Sequence, residues 1–561
     1  MSKARDLANF SAATGVVDAD IGVNVQAYDA TILVDADIGS TVASTAANTF
    51  TDKQTMTAVK ITTGAGAAKV LTSDAYGDAT WETAAPGAGV ATATASGALA
   101  NGDLVVVNAD GTVSVVAGSS VTQDIGTAVV FESASSIYMS ATYDANAQKV
   151  VIAYRDIGNS NYGTAIVGTV SGTSISFGTA VVFESAQSNY MSATYDANAQ
   201  KVVIAYRDSG NSDYGTAIVG TVSGTSISFG TAVVFESAAS DYISAIYDAN
   251  AQKVVIAYRD GGNSSYGTAI VGTVSGTSIS FGTAVVFESA SGYYISATYD
   301  SNAQKVVIAY RDNANSNYGT AIVGTVSGTS ISFGTAVVFE SANSTNISAT
   351  YDANAQKVVI AYRDVGNSNY GTAIVGTVSG TSISFGTAVV FESATSDFIS
   401  ATYDANAQKV VIAYRDNGNS GYGTAIVGTV SGTSISFGTA VVFESAGSEY
   451  ISATYDANAQ KVVIAYTDEG NSDYGTSVVF QNASFSTNLT ATNYIGISDA
   501  IYSDTATATI QTVGSVDDAQ SSLTAGTAYY VQRDGTLATT ADTISVLAGT
   551  ALSATKLIIK G

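Results

Sequence analysis

The sequence contains no cysteine and no histidine, and Pro86 is its only proline in 561 residues. Without cysteine, disulfide bonds, thiolate nucleophiles and cysteine-based metal sites are excluded. Without histidine, the Ser-His-Asp triad and the commonest zinc ligand are excluded too. We therefore expect a protein that is not an enzyme and that carries no catalytic residue, cofactor or metal.

Positive charge is also scarce, since 21 Lys and Arg stand against 46 Asp and Glu, giving a net charge of −25. Binding to nucleic acid or to anionic membranes needs a basic surface, so neither partner is expected. No apolar run approaches the ~20 residues of a membrane span, and the first ten residues, MSKARDLANF, lack the apolar core of a secretory signal. The sequence thus predicts no membrane insertion, synthesis in a cytoplasm, and release by a route other than general secretion.

What is present is typical of β-structure. Val, Ile, Thr and 33 Tyr favour strands, while 54 Gly and many Ser favour turns. A hydrophobic fraction of 46% is ample for a packed core.

An internal repeat predicts the fold. GTAVVFES recurs every 52 residues, beginning at Gly126, Gly178, Gly230, Gly282, Gly334, Gly386 and Gly438. YDANAQKVVIAY recurs at the same interval from Tyr143, with one change, Ser301. Each unit reads as four short strands, which in the first unit span residues 138–144, 149–156, 162–170 and 174–185. Four antiparallel strands repeated at about fifty residues are the pattern of a β-propeller blade.

The two ends of the repeat array complement each other. The first GTAVVFES, at Gly126, precedes any other part of a unit, and the seventh unit stops at Gln481 without its fourth strand. We therefore predict an all-β fold, a seven-bladed β-propeller with four-stranded blades. The N-terminal strand at 125–133 closes the ring, the Tyr138-type strands lie innermost, and small β-rich modules flank the propeller.

The seven units differ almost only at one end of the predicted ring, which we call the variable face. Its first set of varied residues lies in the connections between blades, with an aromatic residue usually following: Ile137, Tyr138, Asn189, Tyr190, Asp241, Tyr242, Tyr293, Tyr294, Thr345, Asn346, Asp397, Phe398, Glu449 and Tyr450. The second set lies in the DxGNSx loops: Ile157, Asn161, Ser209, Asp213, Gly261, Ser265, Asn313, Asn317, Val365, Asn369, Asn417, Gly421, Glu469 and Asp473. The opposite end, the constant face, carries the nearly unchanged ANAQ and SGT turns.

We interpret the variable face as the ligand-binding surface. Drift in exposed loops would not explain why the ANAQ and SGT turns stay constant, and functional residues concentrate on loops held by a rigid scaffold. Its Asn, Asp, Ser, Gly, Thr and Tyr resemble the residue mixture of antibody loops. A cell-surface glycan or other host receptor is the predicted partner, and the acidic face favours a neutral or amino-bearing sugar. The Tyr138-type aromatics could either stack on sugars or pack on each other.

Two acidic features admit alternative interpretations. Asp156 and its six counterparts open the DxGNS turn, where an Asp ordinarily bonds the backbone two residues on; the pattern lacks the bidentate Glu of a calcium loop. Glu449, Glu469 and Asp473 gather in the last unit, where Thr467 replaces the usual Arg. That patch is the best candidate for paired glycosidase carboxylates. Cation binding is favoured, because no Arg or His accompanies the patch.

Both flanks resemble structural proteins of tailed phages. The two VDADIG phrases in residues 1–48 and the segment TFTDKQTMTAVKITTGAGAAKVLTSDAYGDATWE are similar to attachment segments of tail fibres. NLTATNYIGISDA and SATKLIIKG are similar to recurrent modules of virion proteins. The resemblance implies a virion surface location, contacts with other virion proteins through the N-terminal region, and a homotrimer.

The predicted organisation has five parts. They are a virion-attachment segment (1–48), a fibre-type linker (49–90), the first part of a small β-module (91–121), the propeller (122–483) and a C-terminal β-module (484–561). The predicted function is a non-enzymatic phage fibre protein for receptor or glycan binding in host adhesion. The alternatives are a capsid-surface fibre or decoration protein binding environmental glycans, a polysaccharide depolymerase, and a bacterial adhesin.

Overall fold

The computed structural model describes residues 69–73, 79–83, 89–542 and 544–560. The predicted attachment segment at 1–48 lies outside these residues, as does most of the predicted linker. Within the linker, Lys69–Ser73 pairs antiparallel with Ala79–Thr83. No helix in the described ranges is long and apolar enough to cross a membrane.

The repeat region is built from four kinds of strand, in agreement with the predicted all-β class. The long strands are Val129–Asp144, Val181–Asp196, Val233–Asp248, Val285–Asp300, Val337–Asp352, Val389–Asp404 and Val441–Asp456. The second strands are Lys149–Asp156, Lys201–Asp208, Lys253–Asp260, Lys305–Asp312, Lys357–Asp364, Lys409–Asp416 and Lys461–Asp468. The third strands are Tyr162–Ser171, Tyr214–Ser223, Tyr266–Ser275, Tyr318–Ser327, Tyr370–Ser379, Tyr422–Ser431 and Tyr474–Gln481.

Short elements complete the units. The short strands are Ser174–Phe177, Ser226–Phe229, Ser278–Phe281, Ser330–Phe333, Ser382–Phe385 and Ser434–Phe437. Single 3-10 turns lie at Ser209–Asn211, Val365–Asn367, Asn417–Asn419 and Glu469–Asn471. The third and short strands are joined by SGT hairpin turns, in which Gly172 has a φ of 60° that favours glycine.

Each long strand belongs to two neighbouring units. Its first half pairs with the third strand of the preceding unit, as in Gly163↔Glu184, and its second half pairs with the second strand of its own unit, as in Ser192↔Ala205. A short strand and the first half of a long strand together form the fourth strand of a unit. The connections between units, predicted as loops, are therefore continuous extended chain, which corrects the prediction for the first set of varied residues.

The strand pairing closes on itself. The last third strand pairs with Asp124–Ile125 and with the first long strand, through Phe480↔Ile125 and Ser477↔Val129. The N-terminal strand thus supplies the strand that the last unit lacks, and the result is a closed ring of repeated four-stranded units.

The core lies between adjacent units. One apolar cluster joins Val151 and Val167 of the first unit to Ile204 and Tyr206 of the second. The equivalent cluster across the closure joins Ile152 to Val463 and Val479. Since the second strands are covered on both faces, they read as continuous apolar runs, and this explains the KVVIAY phrase.

Both flanks contribute to shared sheets. The first five-stranded sheet has the order Val90–Thr94, Thr507–Gln511, Tyr494–Ser498, Leu104–Val107 and Val113–Val115. Gly118–Val121 pairs with Ser484–Thr487. A second five-stranded sheet has the order Val516–Asp517, Leu557–Ile559, Val546–Ala551, Ala528–Val531 and Leu537–Ala538. One apolar core contains Val106, Ile497 and Val531, and so joins residues from before and after the ring.

Candidate ligand-binding site

A ring of mostly aromatic side chains surrounds the ring axis at the variable face; we call it the axial ring. Its members are Tyr138, Tyr190, Tyr242, Tyr294, Asn346, Phe398 and Tyr450. At these residues the pairing between long and second strands shifts register, between Asn189 and Ser192 in the second unit. The bulge gives all seven residues a φ of 46–53°, in the left-handed region. Bulky side chains rarely adopt this backbone conformation, and residues that do so often mark functional sites.

The axial ring encloses a cavity. Neighbouring ring centroids lie 5.2 Å apart for Tyr138 and Tyr190, 5.3 Å for Tyr190 and Tyr242, and 5.1 Å for Tyr138 and Tyr450. The cavity has a volume of ≈ 240 Å³, and apolar side chains such as Met139 and Ile243 line it below the aromatics. Asn346 interrupts the aromatic series. The aromatics pack on one another, which confirms that interpretation of the sequence, and they also line the cavity, so stacking on sugars stays a prediction.

A row of arginines lies beside the axial ring, and the sequence analysis noted these residues only for their replacement by Thr467, not as part of the site. Its members are Arg155, Arg207, Arg259, Arg311, Arg363 and Arg415, each next to last in a second strand. Arg207 binds Asp213 at 2.7 Å and Asp241 at 2.5 Å, and Arg259 also binds Asp241. Arg363 binds Asp397, and Arg155 donates to Asn189. The signal in the sequence was the YRD phrase, which Thr467 interrupts in one unit only.

Four residues of the first set thus partner arginines, namely Asn189, Asp241, Asp397 and Glu449. Asn189, Asp241 and Thr345 are buried, although we predicted an exposed surface. Ile137 occupies the equivalent position beside Thr467, whose hydroxyl donates to the Ser136 carbonyl oxygen instead. Part of the sequence variation among the units therefore has a structural cause, because a varied residue in one unit matches the Arg or Thr of the neighbouring unit. This explanation differs from both drift and selection for ligand binding.

The acidic patch of the last unit is not free of arginine, which corrects a second prediction. Arg415 of the preceding unit binds Glu449 at 2.8 Å and Glu469 at 2.5 Å. Burial raises the pKa of Glu449, while Arg415 opposes that rise. Two carboxylates that share one guanidinium form an ion-pair network rather than a separated acid and nucleophile. Among the described residues, no group of three or more acidic side chains is arranged to hold a metal ion.

The second set of varied residues surrounds the axial ring from the DxGNSx loops. Ile157, Gly261, Asn313, Asn417, Glu469 and Asp473 are exposed, and most others are half-buried. Gly421 is buried, contrary to the prediction. The loops are held by their first Asp, as predicted: the Asp208 carboxylate accepts hydrogen bonds from the backbone of Gly210 at 2.9 Å and of Asn211 at 3.2 Å.

The constant face is occupied by contacts between units and with the flanks. The Asn146 backbone N–H donates to the Tyr195 hydroxyl at 3.1 Å, and the same bond recurs around the ring to Asn458 and Tyr143. Asn406 donates to Ser484 of the C-terminal flank at 3.1 Å. These bonds give the ANAQ turns a structural reason to stay constant, and they place flank residues at the face opposite the axial ring.

Comparisons with known proteins give structural neighbours only. No family model matches the chain, and no curated protein matches it. The BP39L lectin of Burkholderia pseudomallei is 10% identical, with a TM-score of 0.46 over 64% of this chain and 99% of that one. A Dyadobacter fermentans protein of unknown function is 12% identical, with a TM-score of 0.41 over 64% and 99%. The Aleuria aurantia lectin, a six-bladed β-propeller with a fucose recognition mode, is 13% identical, with a TM-score of 0.36 over 55% and 96%. Similarity at this level assigns no function to this chain.

Proposed function

We propose that the chain is a non-enzymatic, seven-bladed β-propeller that binds glycans at the axial ring. The observation that carries the proposal is the left-handed backbone of six bulky aromatic residues around one cavity. Asn tolerates this backbone far better than Tyr or Phe, and Asn346 shows that the repeat accepts it. Six of the seven positions nevertheless carry an aromatic residue in spite of the backbone strain. This is expected where flat aromatic rings stack on the apolar faces of sugars.

We further propose that this propeller is the displayed part of a phage virion fibre, a homotrimer attached through its N-terminal region. The sequence resemblance of both flanks supports this placement. The contact of Asn406 with Ser484 of the C-terminal flank also supports it, because this contact lies on the constant face, opposite the variable face. The pairing of Glu449 and Glu469 with Arg415 favours binding over hydrolysis.

The test exchanges aromatics for the residue that the chain itself uses. Tyr190→Asn and Tyr242→Asn together should keep the fold and the melting temperature, because Asn relieves backbone strain. Binding to the glycans that the wild-type chain selects on a glycan array should weaken about tenfold or more, since each stacking contact contributes roughly 0.5–1.5 kcal/mol.

The matched control is Tyr530→Asn in the C-terminal sheet, which pairs with no strand of the ring. It should leave array binding as in the wild type. Full binding by the folded double variant would contradict the proposed site.

A further inference from the structure

One arginine of the row has no acceptor. Arg311 forms no hydrogen bond or ion pair with any described residue, whereas the other five each reach an Asp, a Glu or an Asn. Its guanidinium instead lies over the rings of Tyr293, at 4.5 Å, and Tyr294, at 5.2 Å. Its Nε is buried without a partner among the described residues, as are those of Arg155, Arg207 and Arg259.

The repeat explains why Arg311 is unpaired. Carboxylates reach the arginines of other units from four positions, represented by Asp213 at Arg207, Asp397 at Arg363, Glu469 at Arg415 and Asp241 at Arg259. In the repeat register, the same positions around Arg311 hold four uncharged residues, Asn317, Thr345, Val365 and Tyr293. The adjacent Asp312 and the Glu288 that interacts with it are already engaged. The Asp312 carboxylate accepts from the backbone of Ala314 and Asn315, and Glu288 accepts from the Tyr310 hydroxyl.

Further polar atoms at this junction lack partners. Thr345 is only 7% exposed, and its Oγ1 has no hydrogen-bond partner in the described part of the chain. The Oδ1 of Asn343, two residues before it, is also buried, and no described residue hydrogen-bonds to it. Buried polar atoms are nearly always satisfied, so these two, close in sequence to the cavity-lining Asn346, leave hydrogen-bonding capacity for a ligand group. A guanidinium, a hydroxyl donor and an aromatic face together match a carboxylate carried on a sugar ring.

We propose that the junction of Arg311, Tyr293 and Thr345 binds the carboxylate of an acidic sugar, such as a uronic acid. The ligand carboxylate occupies the place that Asp397 fills beside Arg363. This inference rests on the proposed glycan binding and names its ligand class. It also revises the expectation of a neutral or amino-bearing sugar, because local charge at one junction outweighs the net charge of the face.

The experiment compares methyl glucuronide with methyl glucoside, two probes that differ by the carboxylate, in calorimetric titrations of the full chain. The wild type should prefer the glucuronide by about tenfold. Thr345→Asp introduces the internal carboxylate found in the unit of Asp397, and should abolish this preference while leaving the melting temperature equal or higher. Arg311→Thr, which copies Thr467, should abolish it as well.

The outcomes separate the two proposals. A preference that survives in both folded variants overturns the inference, as does equal competition by sulfate at matched ionic strength, which would show unspecific attraction of anions. Binding of neutral glycans alone, lost in the Tyr190→Asn/Tyr242→Asn variant, overturns the acidic-sugar inference and leaves the proposed function standing. Absence of any glycan binding overturns both.

Discussion

At the scale of single residues, the ring is held together by polar bonds that the apolar pattern hides. The hydroxyl of each fully buried Tyr of KVVIAY reaches the Glu of the preceding GTAVVFES, as in Tyr310 to Glu288 at 3.0 Å. Glu288 pairs with the third strand of the preceding unit, so the bond ties two units. Burial raises the pKa of Glu288, while the Tyr310 hydrogen bond opposes that rise.

Tyr310→Phe should therefore destabilise the chain by about 1–3 kcal/mol, because the Glu288 carboxylate loses its donor. Thermal melting of the purified variant measures the effect. Tyr318→Phe is the control in the same unit, since its hydroxyl bonds no described residue, and it should change the melting temperature little. Equal changes in melting temperature for the two substitutions would show that the hydrogen bond from Tyr310 to Glu288 does not stabilise the chain.

At the scale of elements, the strand that closes the ring is equivalent to its internal counterparts. Phe131 lies in the closing strand, 5.2 Å from Tyr154 and 5.5 Å from Phe177. Phe235, in an internal strand, lies 5.1 Å from Tyr258 and 5.7 Å from Phe281. Both phenylalanines are about equally buried, at 9% and 8% exposure.

Phe131→Ala should consequently lower the free energy of unfolding as much as Phe235→Ala does, by about 3–5 kcal/mol each, because each substitution removes buried apolar surface and leaves a cavity. Chemical denaturation of the two variants side by side gives the comparison. If Phe131→Ala left the stability nearly unchanged while Phe235→Ala lowered it strongly, the closing strand would not pack against the ring as the internal strands do.

The elements also show what a sequence can predict here. The 52-residue period, the strand-rich composition and the surplus GTAVVFES phrase were sufficient for the repeated units and the closure. The axial bulge was not predictable, because a register shift at Tyr138 leaves no trace in apolar alternation. The arginine pairs were also missed, since Arg363 and Asp397 are 34 residues apart and meet only across two units.

At the scale of the whole molecule, repetition multiplies small electrostatic effects. Burial raises the pKa of the seven glutamates equivalent to Glu132, and of Asp144 and five of its counterparts. The folded chain therefore binds more protons than the unfolded chain between the ordinary carboxylate pKa and the raised values. Stability then falls as the pH rises through that window.

The chain should accordingly melt at a higher temperature near pH 5 than near pH 7.5, and self-repulsion from a net charge of −25 acts in the same direction. Calorimetry at constant ionic strength measures the difference. High salt should reduce the part of this melting-temperature difference that arises from net charge, and should leave the part that arises from carboxylate burial. A lower melting temperature at the acidic pH would contradict this balance.

The central claim is that glycans bind at the axial ring on the variable face. A crystal structure of the full chain, soaked with the best glycan from the array, tests this most directly. We predict sugar density against the axial aromatics, within contact of Tyr190 and Tyr242 and with any acidic group at Arg311. Density confined to the ANAQ and SGT turns or to the flank sheets would contradict the account.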